Sequence, residues 1–392
     1  VPGFARIILI ALTGLAVLTS AIALGIGTSG EPARPAGGGH AGVPRAAPSV
    51  ATPRWAADQA FGAALYFLDH YELRSGRVAR WDQGGDTVSE GEAYAMLLSV
   101  AVGDRRRFDA AWDWSRAHLL QPNGLMAWHW ANGTITSSES AADADVDAAY
   151  ALELAATRFH EQSDLAAAAA MAAAIAGNET VGAPGGPVLA AGPWAVGPPA
   201  YVNPSYASPS ELSALAQLPG EAQTFAALAA GTRALVGQVL GSGALPPDWV
   251  QLTNATPADV TPQGSTTDDQ YGFDAVRIPI RWAGSCALAD RRAAAALWPV
   301  LGPAALRGRA TVELGLRRGE IQERGAVKSP VGLVAAAASG WAAGHRNEAL
   351  GLLFRAEVLD HPHPTYYSSA WVALGRVLLE TGRLGTCPDW TN

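Results

Sequence analysis

Three acidic phrases in this chain have residue types and surroundings suited to carboxylate chemistry. The first is Gly85-Asp86-Thr87-Val88-Ser89-Glu90-Gly91-Glu92-Ala93-Tyr94. The second is Asp143-Ala144-Asp145-Val146-Asp147, and the third is Tyr271-Gly272-Phe273-Asp274-Ala275-Val276-Arg277. Each sets acids among small and aromatic residues, where an ordinary solvated face carries lysine and arginine. Two carboxyl groups in unlike environments are the minimum equipment for cleaving a glycosidic bond: one stays protonated and donates, the other stays ionised and activates a water.

Each phrase also has a plainer reading. Ser89-Glu90-Gly91-Glu92 fits a helix capping box, with Ser89 as N-cap and Glu92 reaching back. Glu90 is the acid that the box does not need, and small or aromatic neighbours can keep such a group protonated near neutrality. Three aspartates at alternate positions suggest calcium, but the sixth and twelfth positions of the loop, Gly and Glu in an EF-hand, are Ala148 and Leu154 here. They fit a helix N-terminus as well, or a grip on sugar hydroxyls. Asp274 lies beside Arg277, which would keep it ionised as a general base needs; the same two residues could equally form a structural pair.

The elements that must position these acids read as helices. Apolar residues recur at helical spacing over 55–71, 91–102, 108–119, 146–159, 165–176, 211–218, 224–240, 288–301, 304–316, 331–343 and 365–381. Pro279 argues against a central strand after Asp274 and fits the first turn of a helix, so Asp274 is expected just ahead of that helix. Alanine, the strongest helix former, supplies much of the 49% hydrophobic content. The expectation is an all-α fold of a dozen or so helices packed as hairpins in a ring. Two connections, 177–206 and 241–270, are too long for simple links and are expected to carry function.

The ends of the chain and its composition set further bounds. Residues 7–30 carry no charge and follow Arg6, which fits a secretory signal or a membrane anchor over 1–30, with 7–29 as the tether if it is retained. Residues 31–53 are rich in Gly, Pro and Ala and read as a flexible linker, which leaves 54–392 as the folded unit. The expected location is therefore extracytoplasmic, secreted or held on the outer face of the membrane. The formal net charge is −8 with no long basic run, which leaves no electrostatic footprint for nucleic acid. The two cysteines, Cys286 and Cys387, have no metal-ligand spacing; they are either buried thiols or, in an exported protein, one disulfide.

Jointly and in order, the phrases resemble glycoside hydrolase family 8, the bacterial endoglucanases and their relatives. The family's Ser-Glu-Gly-Gln-x-Tyr-Gly-Met reads Ser89-Glu90-Gly91-Glu92-Ala93-Tyr94-Ala95-Met96 here. Its second signature, Ala-Ser/Thr-Asp-Ala/Gly-Asp, reads Ala141-Ala142-Asp143-Ala144-Asp145. Asn203-Pro204-Ser205-Tyr206, Pro247-Asp248-Trp249 and the Asp274–Pro279 phrase resemble further signatures, as does Tyr366-Tyr367. The departures are Glu92 for Gln, Ala95 for Gly, the hydroxyl missing at Ala142, the branched residue missing at Ala148 and Phe273 for Tyr.

The resemblance implies an (α/α)6 barrel and inverting hydrolysis of β-1,4-glucan without metal or organic cofactor. It implies Glu90 as the general acid and Asp274 as the base. Asp143, and less directly Asp145, would hold the distorted sugar, with Tyr206 and Arg277 at the active site. Trp128 or Trp130 would offer an aromatic sugar platform, with core packing as the alternative for each. Chitosanase and xylanase are the rival activities. Glu92 or Asp269 would hold ammonium groups in the first of these. A non-catalytic, membrane-tethered polysaccharide-binding protein accompanying a polysaccharide synthase is the reading from another class.

Overall fold

The computed structural model describes residues 54–387, apart from 207, 241–244, 254–255, 260–269, 310, 313, 318–319, 323–326 and 386. The segments read as signal or anchor (1–30) and linker (31–53), and Asp269, lie outside the described residues. The helices are α1 (Arg54–Tyr71), α2 (Ser89–Val102), α3 (Arg105–His118), α4 (Ala142–Phe159), α5 (Gln162–Asn178), α6 (Pro209–Leu215), α7 (Ala222–Leu240), α8 (Arg277–Ala283), α9 (Leu288–Ala295), α10 (Trp298–Leu306), α11 (Pro330–Ala342), α12 (Arg346–Asp360) and α13 (Tyr366–Glu380).

Six of them close a ring. Helix α2 packs on α4, α4 on α6, α6 on α8, α8 on α11, α11 on α13, and α13 returns to α2. Helices α1, α3, α5, α7, the α9–α10 pair and α12 pack outside that ring. This is the (α/α)6 barrel. The patterning separates the two layers. In α11 every residue from Val331 to Trp341 is buried, and its run Ala335-Ala336-Ala337-Ala338 lets neighbours approach closely. An inner helix is enclosed on all sides and so must be apolar all round. Outer α3 buries only Phe108, Ala111, Trp112, Trp114 and Ser115, and turns its charges to solvent.

Short hairpins crown the ring. Strands β1 (Thr87–Val88), β2 (His129–Ala131) and β3 (Thr134–Ser137) form one antiparallel sheet. Thr87 pairs with Trp130 and Val88 with His129, which ties the Glu90 phrase to the tryptophan phrase. The two long connections contain β4 (Thr180–Ala183) with β5 (Gly186–Leu189), and β6 (Ala200–Val202) with β7 (Val250–Thr253) and β8 (Thr256–Asp259). Strand β9 (Gln270–Tyr271) pairs with Leu314–Arg317 just before Asp274.

Three local expectations differ from the structure. The expected helix 304–316 ends at Leu306; β-branched Thr311 and Val312 and the segment Leu314–Arg317 are strands. The expected 288–301 helix is two helices, because Pro299 in the first turn of α10 has no N–H to carry the helical hydrogen bond back to Ala295. Helix α12 has no counterpart among the expected helices: its exposed Phe354 and Val358 blur the apolar stripe that marks an outer helix. The Cys286–Cys387 disulfide is present, with Cα atoms 5.0 Å apart, and fastens the C-terminal end beside α8.

Candidate active site

Glu90 stands in the first turn of α2, partly open, between β1 and the buried body of the helix. The capping box expected here does not form. Glu92 is wholly buried; its Oε1 accepts from Val78 N at 2.7 Å and its Oε2 from Ser115 Oγ at 3.4 Å. The Ser89 N–H donates instead to Trp128 O at 3.0 Å. Gly91 permits a close approach: a Cβ there would lie 3.1 Å from the Tyr366 hydroxyl, which is itself buried and without a hydrogen-bond partner among the described residues. Burial first, and then the charge of Asp143, pushes the Glu90 carboxyl up to about 7, while Arg80 and Arg277 pull it down. Such a group is a proton donor at neutral pH.

Across the barrel, α4 and α8 face each other through two arginines. Arg277 Nη1 donates to Asp143 Oδ2 at 2.8 Å. One turn on, Arg281 Nη1 and Nη2 donate to Asp147 Oδ1 and Oδ2 at 2.7 and 2.8 Å, and Nη1 also reaches Glu211 of α6 at 3.1 Å. Residues four apart share a helix face, so this is a two-rung ladder of ion pairs. All four of its side chains are at most 4% exposed.

The upper rung continues to the third acid. Arg277 Nη2 donates to Asp274 Oδ1 at 2.6 Å and Arg277 Nε to Ser205 Oγ at 3.1 Å. Its guanidinium lies 5.1 Å from the Tyr206 ring centroid. Asp274 lies three residues ahead of α8, with Pro279 in that helix's first turn, as its sequence predicts. Its side chain is 31% exposed, whereas Asp143 is covered. Burial raises the Asp274 carboxyl above its ordinary range; Arg277 opposes this, followed by the Asn203 and Trp249 side chains facing it. Asp143 is likewise raised by burial and drawn back by Arg277.

Glu90, Asp143, Asp274, Arg277 and Tyr206 therefore meet in one place, and Asp145 does not join them. It points away, its Oδ1 accepting from Met126 N at 2.8 Å, and its carboxyl faces that of buried Glu179. Trp128 stacks on His129 with centroids 4.8 Å apart. The Trp130 ring is packed edge-on against Trp114, with Arg77 5.0 Å from its centroid. Sequence reasoning gave no role to Trp249 or Trp194. Trp249 packs against Tyr206 at 6.0 Å and Trp194 at 6.3 Å, an aromatic wall beside Asp274. Its signal was Pro247-Asp248-Trp249 in one of the long connections. Among the described residues no cluster of three or more His, Cys, Asp or Glu is placed to hold a metal ion.

A carboxyl pushed up to about 7 and a second one tied to an arginine thus meet at the same end of the helical barrel, the pairing that carboxylate-dependent glycoside hydrolysis uses. Residues 49–306 match the family described as Glycosyl hydrolases family 8, and the chain belongs to that family. A probable endoglucanase of Novacetimonas hansenii is 29% identical over 341 residues, covering 84% of this chain and 90% of its own. Among solved structures, a β-1,3-1,4-glucanase of Paenibacillus sp. has a TM-score of 0.70 at 22% identity, covering 86% of this chain and 95% of its own. A Klebsiella pneumoniae family 8 endoglucanase gives 0.66 at 23%, covering 81% and 98%.

Proposed function

We propose that this glycoside hydrolase cuts β-1,4-glucan chains internally and with inversion. Glu90 protonates the departing glycosidic oxygen. Asp274 deprotonates the attacking water. Asp143, through its link to Arg277, helps shape the site where the distorted sugar binds, with Tyr206 and Trp249 as apolar contacts. One observation carries this reading: Arg277 pairs with Asp274 and Asp143 but forms no hydrogen bond with Glu90, whose carboxyl is pushed up to about 7. One cation thus divides the acids into a donor and a base. The endoglucanase name of the Novacetimonas relative supports the choice of substrate.

The chitosanase reading loses Glu92, which is fully buried and bonded to Val78 N, out of reach of any ammonium group in the cleft. We also propose that the enzyme acts outside the cytoplasm, with residues 1–30 as signal or anchor and 31–53 as linker. The charge-free run at 7–30 and the disulfide support that reading, because structural disulfides persist in oxidising compartments. The test of function is release of reducing ends, together with loss of viscosity, from soluble β-1,4-glucan. The wild type is expected to lower viscosity well ahead of reducing-end release, and Glu90→Gln and Asp274→Ala to do neither. A Glu90→Gln enzyme of near-full activity refutes the assignment, and activity confined to chitosan or xylan moves the substrate.

A further inference from the structure

Asp248 is a buried carboxylate outside the acid cluster, and its hydrogen bonds to the described residues go to the 270–275 segment that presents Asp274. Its Oδ1 accepts from Gly272 N at 2.8 Å and from Ala275 N at 2.7 Å, the two amides that flank Phe273 and Asp274. Its Oδ2 accepts from Gln270 Nε2 at 3.2 Å, and its own N–H donates to Gln270 O at 2.8 Å. Gly272 gives a second, independent sign of this fit. A Cβ there would lie 2.1 Å from Asp248 Oδ2, so the carboxylate occupies the space of a side chain. Tyr367 steadies the same turn, its hydroxyl donating to Phe273 O. The next residue, Trp249, faces the Asp274 carboxylate itself.

We propose that Asp248 is a positioning residue for hydrolysis, clamping the 272–275 turn so that Asp274 meets the attacking water. The proposal rests on the reading of Asp274 as the base. A carboxylate suits this task because one oxygen accepts from the two converging amides while the other accepts from Gln270 Nε2, and a hydroxyl has no second oxygen to offer. Burial, and then the charge of Asp274, holds the Asp248 carboxyl up to about 7. Either protonation state retains the accepting Oδ1, so the clamp survives across the working range.

The test is steady-state kinetics on soluble β-1,4-glucan for Asp248→Ala, Asp248→Asn, Gly272→Ala and Asp274→Ala, each checked for folding by circular dichroism. A base misplaced by about 1 Å loses roughly a hundredfold in rate, so Asp248→Ala is expected to lose about that in kcat with KM within about twofold. Asp248→Asn keeps an accepting Oδ1 and is expected to recover about tenfold of that loss. Gly272→Ala leaves Asp248 in place but displaces its carboxylate, and is expected to fall as Asp248→Ala does; it carries the test if Asp248→Ala does not fold. Wild-type kcat in folded Asp248→Ala or Gly272→Ala overturns the proposal, as does an Asn variant no better than Ala. An active Asp274→Ala enzyme instead overturns the assignment of the base.

Discussion

Replacing Arg277 by methionine, which keeps much of the stem's volume and removes the charge, strands two carboxylates. The Asp143 arm is fully buried, with side chains 4% and 1% exposed, and the Asp274 arm is partly open at 31%. Removing one partner of a buried pair destabilises by about 3–5 kcal/mol, because the other charge is left uncompensated. The Asp274 arm adds no more than about 1 kcal/mol, since solvent screens it. For a folded unit of this size, about 1.4 °C of melting temperature goes with each kcal/mol, so the variant is expected to melt roughly 4–8 °C below wild type at pH 7. Loss of Arg277 raises the folded-state pKa of Asp143 further. The penalty is therefore absent below the ordinary aspartate range near 4 and grows as pH rises through the raised value. Melting curves at pH 4 and pH 7 check this, and adding Asp143→Asn to the variant is expected to restore part of the loss. Activity adds a second readout. Arg277 lowers the pKa of both Asp274 and Glu90, so both limbs of the kcat/KM–pH bell move to higher pH without it. A melting temperature within about 2 °C of wild type at pH 7, or a deficit unchanged by pH and by Asp143→Asn, refutes the reasoning.

Three further outcomes follow from the same physics. Asp145 and Glu179 face one another with burial holding both well above the ordinary range, so stability falls as pH rises from near 4 through those raised values. Glu179→Gln, which supplies a permanent donor, should gain on wild type as melting is followed from pH 5 to 9; parallel curves count against repulsion between the two buried carboxyls. The disulfide closes a loop of 101 residues, and the chain-entropy model assigns about 4–5 kcal/mol to a loop of that length. Serine at both positions should lower the denaturant midpoint accordingly, with the difference from wild type vanishing in reductant. Glu92→Gln retains an acceptor for Val78 N and should leave glucan cleavage and the chitosan-to-glucan ratio unchanged, whereas Glu92→Ala orphans a buried amide at about 1–3 kcal/mol. A shift in that ratio for Glu92→Gln would return Glu92 to the cleft.

The acids that meet at the site were legible because residue type and neighbours travel with the chain. Glu90 stands one residue from Gly91 and four from Tyr94, and Asp274 stands three from Arg277. The helical ring was legible from apolar spacing and alanine content, and Pro279 placed Asp274 ahead of α8. Direction was harder to read. The sequence places the start of α4 near Val146, but the helix begins at Ala142, so Asp143 and Asp145 are two helical positions apart and point about 200° away from each other. Asp147, four on from Asp143, shares its face and takes the second arginine. Glu92 shows the same limit: in sequence it completes a capping box, while Val78, fourteen residues upstream, claims its carboxylate. Contacts across the barrel, such as Arg277 to Asp143 at a separation of 134 residues, have no local signature in the chain.

The central claim is that Glu90 and Asp274 act as acid and base on opposite sides of a water-mediated cleavage. Proton NMR of a cello-oligosaccharide digest, read before the new ends mutarotate, tests it most directly. The account predicts that the new reducing ends appear first as the α-anomer, and that they do not appear with Glu90→Gln or Asp274→Ala. New ends appearing first as the β-anomer would mean a double displacement, and would contradict the assignment of Asp274 as the base that activates water.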